Sequence, residues 1–236
     1  MKPKPHVLFL PGLLSDASLF QAQVDALAAV ATTGVADLTL ADTLEGMADS
    51  VLALAPRDPF VLVGLSLGGY VAFEIMRRAP GRVCALALID TSARPESAEA
   101  SAARKALMQL AGTDLEAVFE AMLPRLSHPE RMSQPDVRGV IHSMMTGLGK
   151  GVFLRQQRII MERPDSRPDL ARIECPTLVI CGREDLITPP EMAQEMARGI
   201  RHARLCMVEE SGHLSTLDQP DEVARLLLDW ITSLGC

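Results

Sequence analysis

The apolar positions of this chain fall into two kinds of stretch. Residues 6–10, 60–64, 83–89, 176–181 and 203–208 are short, nearly continuous apolar runs rich in Val, Leu, Ile and Ala, too short for helices and suited to strands buried on both faces. A weaker run at 33–38 is expected to add another strand. Between these runs the apolar residues recur at helical spacing. Leu19, Phe20, Val24, Leu27 and Ala28 share one face behind Ser15 or Asp16, either of which can cap the helix. Thr43 is placed to cap a helix over 44–55 that Pro56 closes, and further helices are expected over 70–78 and 190–200. A last helix begins at Pro220, with Asp221 and Glu222 at the positive end of its dipole. Strands alternating with helices predict an α/β fold, a mostly parallel sheet flanked by helices.

The alternation stops from 93 to 168. No strand pattern occurs there, and helical periodicity appears at 98–110, 115–123, 137–145 and 152–161 between Pro and Gly breaks. This segment is expected to be an inserted helical cap, leaving 1–92 and 169–236 as one α/β core. It carries 11 Lys and Arg against 9 acids, so it is net +2 while the remainder is −9. That difference would favour an anionic substrate, and solvated helix faces produce such counts equally well. Met108, Phe119, Met122, Met144, Met145 and Phe153 are candidates for a pocket lining or for internal packing.

Composition narrows the function classes. The formal charge of −7, with no basic run longer than two residues, argues against nucleic acid. No stretch reaches the ~20 apolar residues of a membrane span. Cys84, Cys175, Cys181, Cys206 and Cys236 are odd in number and form no Cys-x-x-Cys pair, which fits a reducing cytoplasm. Lys2 and Lys4 before the apolar run 7–14 imitate a secretory signal. Pro11 and Gly12 interrupt it, and cleavage would remove a strand the fold needs.

The chemistry concentrates at Gly64-Leu65-Ser66-Leu67-Gly68, which lies between a strand and a helix. A Gly-x-Ser-x-Gly string is weak evidence by itself; in a strand-turn-helix context it is a nucleophile elbow that exposes the serine hydroxyl above the sheet. A phosphate loop is excluded, because Tyr70 and Val71 stand where Lys and Ser or Thr would be needed. Asp185 and His213 also fall just after expected strands, so a parallel sheet carries all three to its carboxyl edge. There Ser66 would attack a carbonyl, His213 would move the proton, and Asp185 would orient and stabilise the imidazolium. Glu184 and Asp90 are rival orienting carboxylates. His6, His128, His142 and His202 begin strands or lie in the inserted segment, where structural or surface roles suit them better. An oxyanion would need two backbone donors: Leu67 offers one, and Leu13, with Leu14 as the alternative, the other.

Taken together, Leu10-Pro11-Gly12-Leu13-Leu14, Gly64 to Gly69, Gly182-Arg183-Glu184-Asp185 and Ser211-Gly212-His213 with Gln219-Pro220 resemble the α/β-hydrolase superfamily. The resemblance spans the chain outside the inserted segment, and the order Ser, Asp, His agrees with it. It implies about six strands here, because the chain starts at what would be the third strand of an eight-strand template. Many relatives have His-Gly where this chain has Pro11-Gly12, so a side chain that often braces the oxyanion loop is missing. The chain looks most similar to small capped members such as pimeloyl-carrier-protein methyl ester esterases and cyclohexadiene carboxylate synthases. The resemblance implies a serine hydrolase of a small ester or thioester, with no metal or organic cofactor. A lyase or carbon-carbon bond enzyme on the same triad, or a non-catalytic ligand-binding protein of this fold, are the alternatives. Dehalogenases and epoxide hydrolases of this fold use an aspartate nucleophile, which Ser66 argues against.

Overall fold

The computed structural model of the chain describes residues 4–234; Lys2 and Cys236 lie outside them. Six strands form one parallel sheet: β1 (His6–Leu10), β2 (Thr32–Val35), β3 (Phe60–Leu65), β4 (Val83–Ile89), β5 (Thr177–Gly182) and β6 (Ala203–Val208). Their order is β2-β1-β3-β4-β5-β6. The fold class expected from the apolar runs is therefore the one observed. β2 is shorter than the expected 33–38. It is an edge strand, weakened by Gly34, and pairing with β1 reaches only Phe9 opposite Val35.

Strand residues alternate between two apolar cores, as the period of 2 requires. Val7, Phe9, Val61, Val63, Leu65, Ala85, Ala87 and Ile89 face one core. Leu10, Phe60, Leu62, Leu86 and Leu88 face the other. The first core is covered by α1 (Gln21–Leu27), whose neighbour is the C-terminal helix. The second is covered by α2 (Leu44–Leu54) and α3 (Leu67–Arg78). Thr43 caps α2 through Gly46 N–H, and Asp16, not Ser15, caps the short 3-10 turn that leads into α1. α3 is buried from Leu67 to Met76, including Glu74, which pairs with Arg77.

Between β4 and β5 the described chain forms helices and turns: α4 (Ala98–Ala111), α5 (Leu115–Leu126), α6 (Pro129–Met132) and α7 (Pro135–Glu162). The two helices expected over 137–145 and 152–161 are both present within the span given for α7, and they meet at a non-helical residue. That residue is Gly149, at φ 76°, where a break was expected. Val118, Phe119, Leu123, Ile141, Met144, Met145 and Phe153 from these helices join the same apolar cluster as Leu14, Leu19 and the sheet. The segment expected as a cap thus shares the core of the sheet. The chain ends with α8 (Pro190–Gly199), the short α9 (Ser215–Asp218) and α10 (Pro220–Ser233). No helix of the described residues is long and apolar enough to cross a membrane.

β2 and β3 leave β1 on opposite sides, so the chain reverses direction across the sheet between β1 and β3. In such sheets the crevice beyond the carboxyl ends at that reversal is where ligands bind. Leu10 is in register with Gly64 there, which brings the loop after β1 beside the turn after β3.

Candidate active site

Ser66 follows β3 directly and caps α3 with φ 53° and ψ −112°. That conformation costs a non-glycine residue on the order of 1–3 kcal/mol and persists only where surroundings enforce it. Its N–H donates to Ile89 O at 3.0 Å, and Thr91 Oγ1 donates to its carbonyl at 2.8 Å. The turn is tight enough to require the flanking glycines. A Cβ on Gly64 would lie 2.5 Å from Gly68 O, and one on Gly68 would lie 2.0 Å from Leu10 O. Leu14 and Asp90, also beyond strand ends, share the positive φ, at 50° and 43°.

The structure brings Ser66, His213 and Asp185 together. His213 Nε2 is 2.8 Å from Ser66 Oγ, and His213 Nδ1 is 2.8 Å from Asp185 Oδ2. Asp185 Oδ1 accepts from the N–H groups of Ile187 and Thr188 at 2.7 and 2.9 Å, and Oδ2 accepts the Thr188 hydroxyl at 2.7 Å. These donors favour an ionised Asp185. The proton of a neutral His213 then sits on Nδ1, and Nε2 is free to accept from Ser66. Burial pushes the Asp185 carboxyl up, but His213 and the hydrogen bonds outweigh it and hold it below the usual range. For His213, burial disfavours the imidazolium, and the Asp185 charge and hydrogen bond win, raising it.

The rival side chains are engaged elsewhere. Glu184 Oε2 accepts from Ser211 N–H at 2.9 Å. Asp90, fully buried, accepts from Gly182 N–H at 2.9 Å and Ser215 N–H at 3.0 Å, tying together the loops that carry Asp185 and His213. Burial and the nearby Asp185 charge push Asp90 up to about 7. His142 pairs with Glu116 at 2.8 Å near the surface, His128 accepts from Glu130 N–H at a helix start, and His202 is exposed.

Two buried residues at the site escaped the motif reading. Asp218 accepts from Gly212 and His128 N–H groups at 2.7 and 2.8 Å and from the Ser127 hydroxyl, pinning the His213 loop to the inserted segment. Gln156 of α7 accepts from Leu14 N–H at 2.8 Å and donates to Leu38 O at 3.1 Å. The one signal for it was two consecutive glutamines, Gln156 and Gln157, in an apolar helical stretch.

Asp90, Cys181 and Asp185 are the one group among the described residues close enough to share a metal ion, within 4.8 Å. Their chemistry does not suit one. Both carboxylates are filled by N–H and O–H donors, and burial pushes the Cys181 thiol up, so it stays protonated.

A cavity of about 700 Å³ lies between α4, α5, α7 and the loop after β5; Ser66, His213 and Asp185 are not part of its wall, but neighbours of theirs are. Tyr70, one turn beyond Ser66 on α3, and Thr188, bonded to Asp185, form its near end. Of the six apolar side chains expected as lining or packing, Met122 borders it. Phe119, Met144, Met145 and Phe153 are buried in the core, where helix-spaced apolar residues shield one another. Met108 is half-buried against that core.

The sequence profile described as "Alpha/beta hydrolase family" matches residues 7–226. The chain belongs to this family. A pimeloyl-[acyl-carrier protein] methyl ester esterase of Neisseria meningitidis is 29% identical over 194 residues, 80% of this chain and 75% of that protein. A thermophilic esterase from Thermogutta terrifontis superposes with a TM-score of 0.89 at 30% identity, covering 98% of this chain and 91% of the other. The enol-lactonase from Burkholderia xenovorans LB400 gives 0.89 at 26% identity, covering 98% and 92%.

Proposed function

We propose that this member of the alpha/beta hydrolase family is a serine hydrolase of a small ester or thioester, acting through Ser66, His213 and Asp185. The observation that carries the reading is the unbroken relay from Ser66 Oγ through His213 to Asp185, 2.8 Å at each step. Ser66 Oγ attacks the carbonyl carbon while His213 Nε2 takes its proton. The tetrahedral oxyanion is met by the Leu67 N–H at the start of α3 and by Leu13 N–H; Leu14 is the weaker candidate because its N–H is already given to Gln156. Collapse breaks the bond to the alcohol or thiol, which leaves with the proton from His213. A water then gives its proton to His213 and attacks the acyl-Ser66 ester, and Ser66 regains its proton as the acid departs. Asp185 holds the imidazole and stabilises its cation throughout. The comparisons with two esterases and a lactonase favour carbonyl esters as the substrate class. In the same reading, α4 to α7 act as a cap that bounds the acyl or alcohol pocket.

The test is labelling with a fluorophosphonate, located by mass spectrometry, together with p-nitrophenyl ester turnover. Label on Ser66, and a fall of at least about 10³-fold in kcat for a folded Ser66→Ala protein, are expected. An unlabelled Ser66 in folded protein that leaves esters intact sinks the proposal, and elimination without an acyl-enzyme would move it to lyase chemistry.

A further inference from the structure

The cavity bordered by Tyr70 and Thr188 holds a buried cluster of two arginines on one carboxylate, while Glu99, the other acid in its wall, is exposed. Arg104 and Arg163 both bond to one carboxylate oxygen, Glu96 Oε2, from α4 and from the end of α7 respectively. The side chains are little exposed, at 6% for Glu96, 8% for Arg163 and 18% for Arg104. Two guanidinium groups on one carboxylate leave a net positive charge largely out of water, an arrangement that is costly until an anion joins it. Glu96 is held below the usual carboxylate range: burial opposes ionisation, but the two arginines outweigh it. It therefore stays an anion and cannot relieve the imbalance by taking a proton.

A second observation points the same way. Gln157 is fully buried and borders the cavity. Its Oε1 accepts from Arg104 Nη1 at 2.8 Å, which fixes the amide orientation, and its Nε2 has no acceptor. Seven buried side-chain polar atoms among the described residues lack a partner, and Gln157 Nε2 is the one that borders this cavity, where a ligand could supply the acceptor. The Arg163 guanidinium stacks 4.4 Å over the Tyr70 ring, so the cluster runs continuously from Gln157 to the residue one turn beyond Ser66. Four residues of helix place Tyr70 about 6 Å along the axis of α3 from the nucleophile.

From these donors we infer a carboxylate-binding subsite made by Arg104, Arg163 and Gln157. The substrate would carry a free carboxylate a short chain away from the bond that Ser66 cleaves. Planar guanidinium and amide groups match the two oxygens of a carboxylate, and one added negative charge neutralises the cluster. The other cavity arginines are less suited: Arg94 pairs with Glu195, and Arg125 donates to Leu186 O. This inference rests on the hydrolase reading for the bond that is cut, but not for the binding of the anion.

The experiment compares kcat/KM for monomethyl adipate with that for methyl hexanoate, its neutral counterpart of equal chain length. Wild type is expected to favour the carboxylate ester by roughly tenfold or more, and Gln157→Leu to cut the ratio by about tenfold. Gln157→Glu retains an acceptor for Arg104, which protects folding, and fills the subsite with charge; its ratio should fall below that of Gln157→Leu. Cleavage of methyl hexanoate with no preference for the adipate ester overturns the subsite and leaves the hydrolase reading standing. If neither ester is cleaved and Ser66 takes no fluorophosphonate, the hydrolase reading fails. The subsite is then decided by calorimetry of free adipate with the Ser66→Ala protein. One-to-one binding weakened about tenfold by Gln157→Leu upholds it, and no heat up to about 10 mM adipate overturns it.

Discussion

Gln156 offers a sharp test of how the inserted helices support the proposed oxyanion site. Its fully buried side chain takes the N–H of Leu14 and gives its own N–H to Leu38 O. Leu14 is held at φ 50°, adjacent to the Leu13 amide proposed to meet the oxyanion. Gln156→Met keeps the volume and removes both bonds. Each leaves a buried backbone group unsatisfied at about 1–3 kcal/mol, so a loss of about 2–6 kcal/mol in unfolding free energy is expected. A freed Leu14 can relax its backbone, and the Leu13 N–H then moves with it. Loss of one oxyanion donor lowers kcat by about 10²–10³-fold, so displacement of that donor should lower kcat by tenfold to a hundredfold with KM little changed. Gln156→Glu retains the acceptor for Leu14 and loses only the donor to Leu38. It should be destabilised as well, yet keep clearly more kcat than the Met variant. Urea melts and ester kinetics at one pH measure both. Equal kcat in the two variants, or a kcat within threefold of wild type in Gln156→Met, would refute the link between Gln156 and the oxyanion donor.

Three further outcomes are expected. Because Asp185 raises His213 in the folded protein, the imidazolium persists to higher pH than for a free histidine. The acid limb of kcat/KM should then lie above the usual histidine range and move down in Asp185→Asn, and an unmoved limb would show that another group titrates. Gly68→Ala puts a Cβ 2.0 Å from Leu10 O. Since Leu10 O is buried strand backbone and the Cβ is fixed rigidly to the backbone of α3, neither atom can swing aside, so the loss should exceed about 4 kcal/mol and appear as insoluble or molten protein, whereas a native melting temperature would contradict the packing. Asp90, raised from 3.8 to about 7 by burial and the Asp185 charge, binds its proton in the folded state when the unfolded chain has lost it. Its contribution to stability is fully present below pH 3.8 and is lost as pH rises through about 7, so wild type should lose stability relative to Asp90→Asn across that window in urea melts and no further above it.

Much of this protein is determined locally along the chain. Continuous apolar runs such as 60–64 and 83–89 are strands because burial on both faces leaves no polar position to alternate. Thr43 and Pro220 start helices through their own chemistry. Gly64 and Gly68 around Ser66 declare a turn that tolerates no side chain, and parallel strands oblige the loops holding Ser66, Asp185 and His213 to share one edge. What residue types and spacing left open are distances and partners between residues 27 to 142 positions apart. Only the folded sheet shows that Asp185 reaches His213 while Asp90 and Glu184 are taken up by backbone amides. Only the tertiary packing of α7 shows that both ends of the Gln156 amide are engaged, while Gln157 bonds Arg104 through Oε1 and keeps an unpartnered Nε2. Glutamines in an amphipathic helix are ordinarily solvated, and their burial is set by what another part of the chain leaves room for. The strands of this protein are a local matter of apolar sequence; its site is a matter of long-range geometry, because hydrogen bonds are made only where the tertiary fold brings a donor to an acceptor.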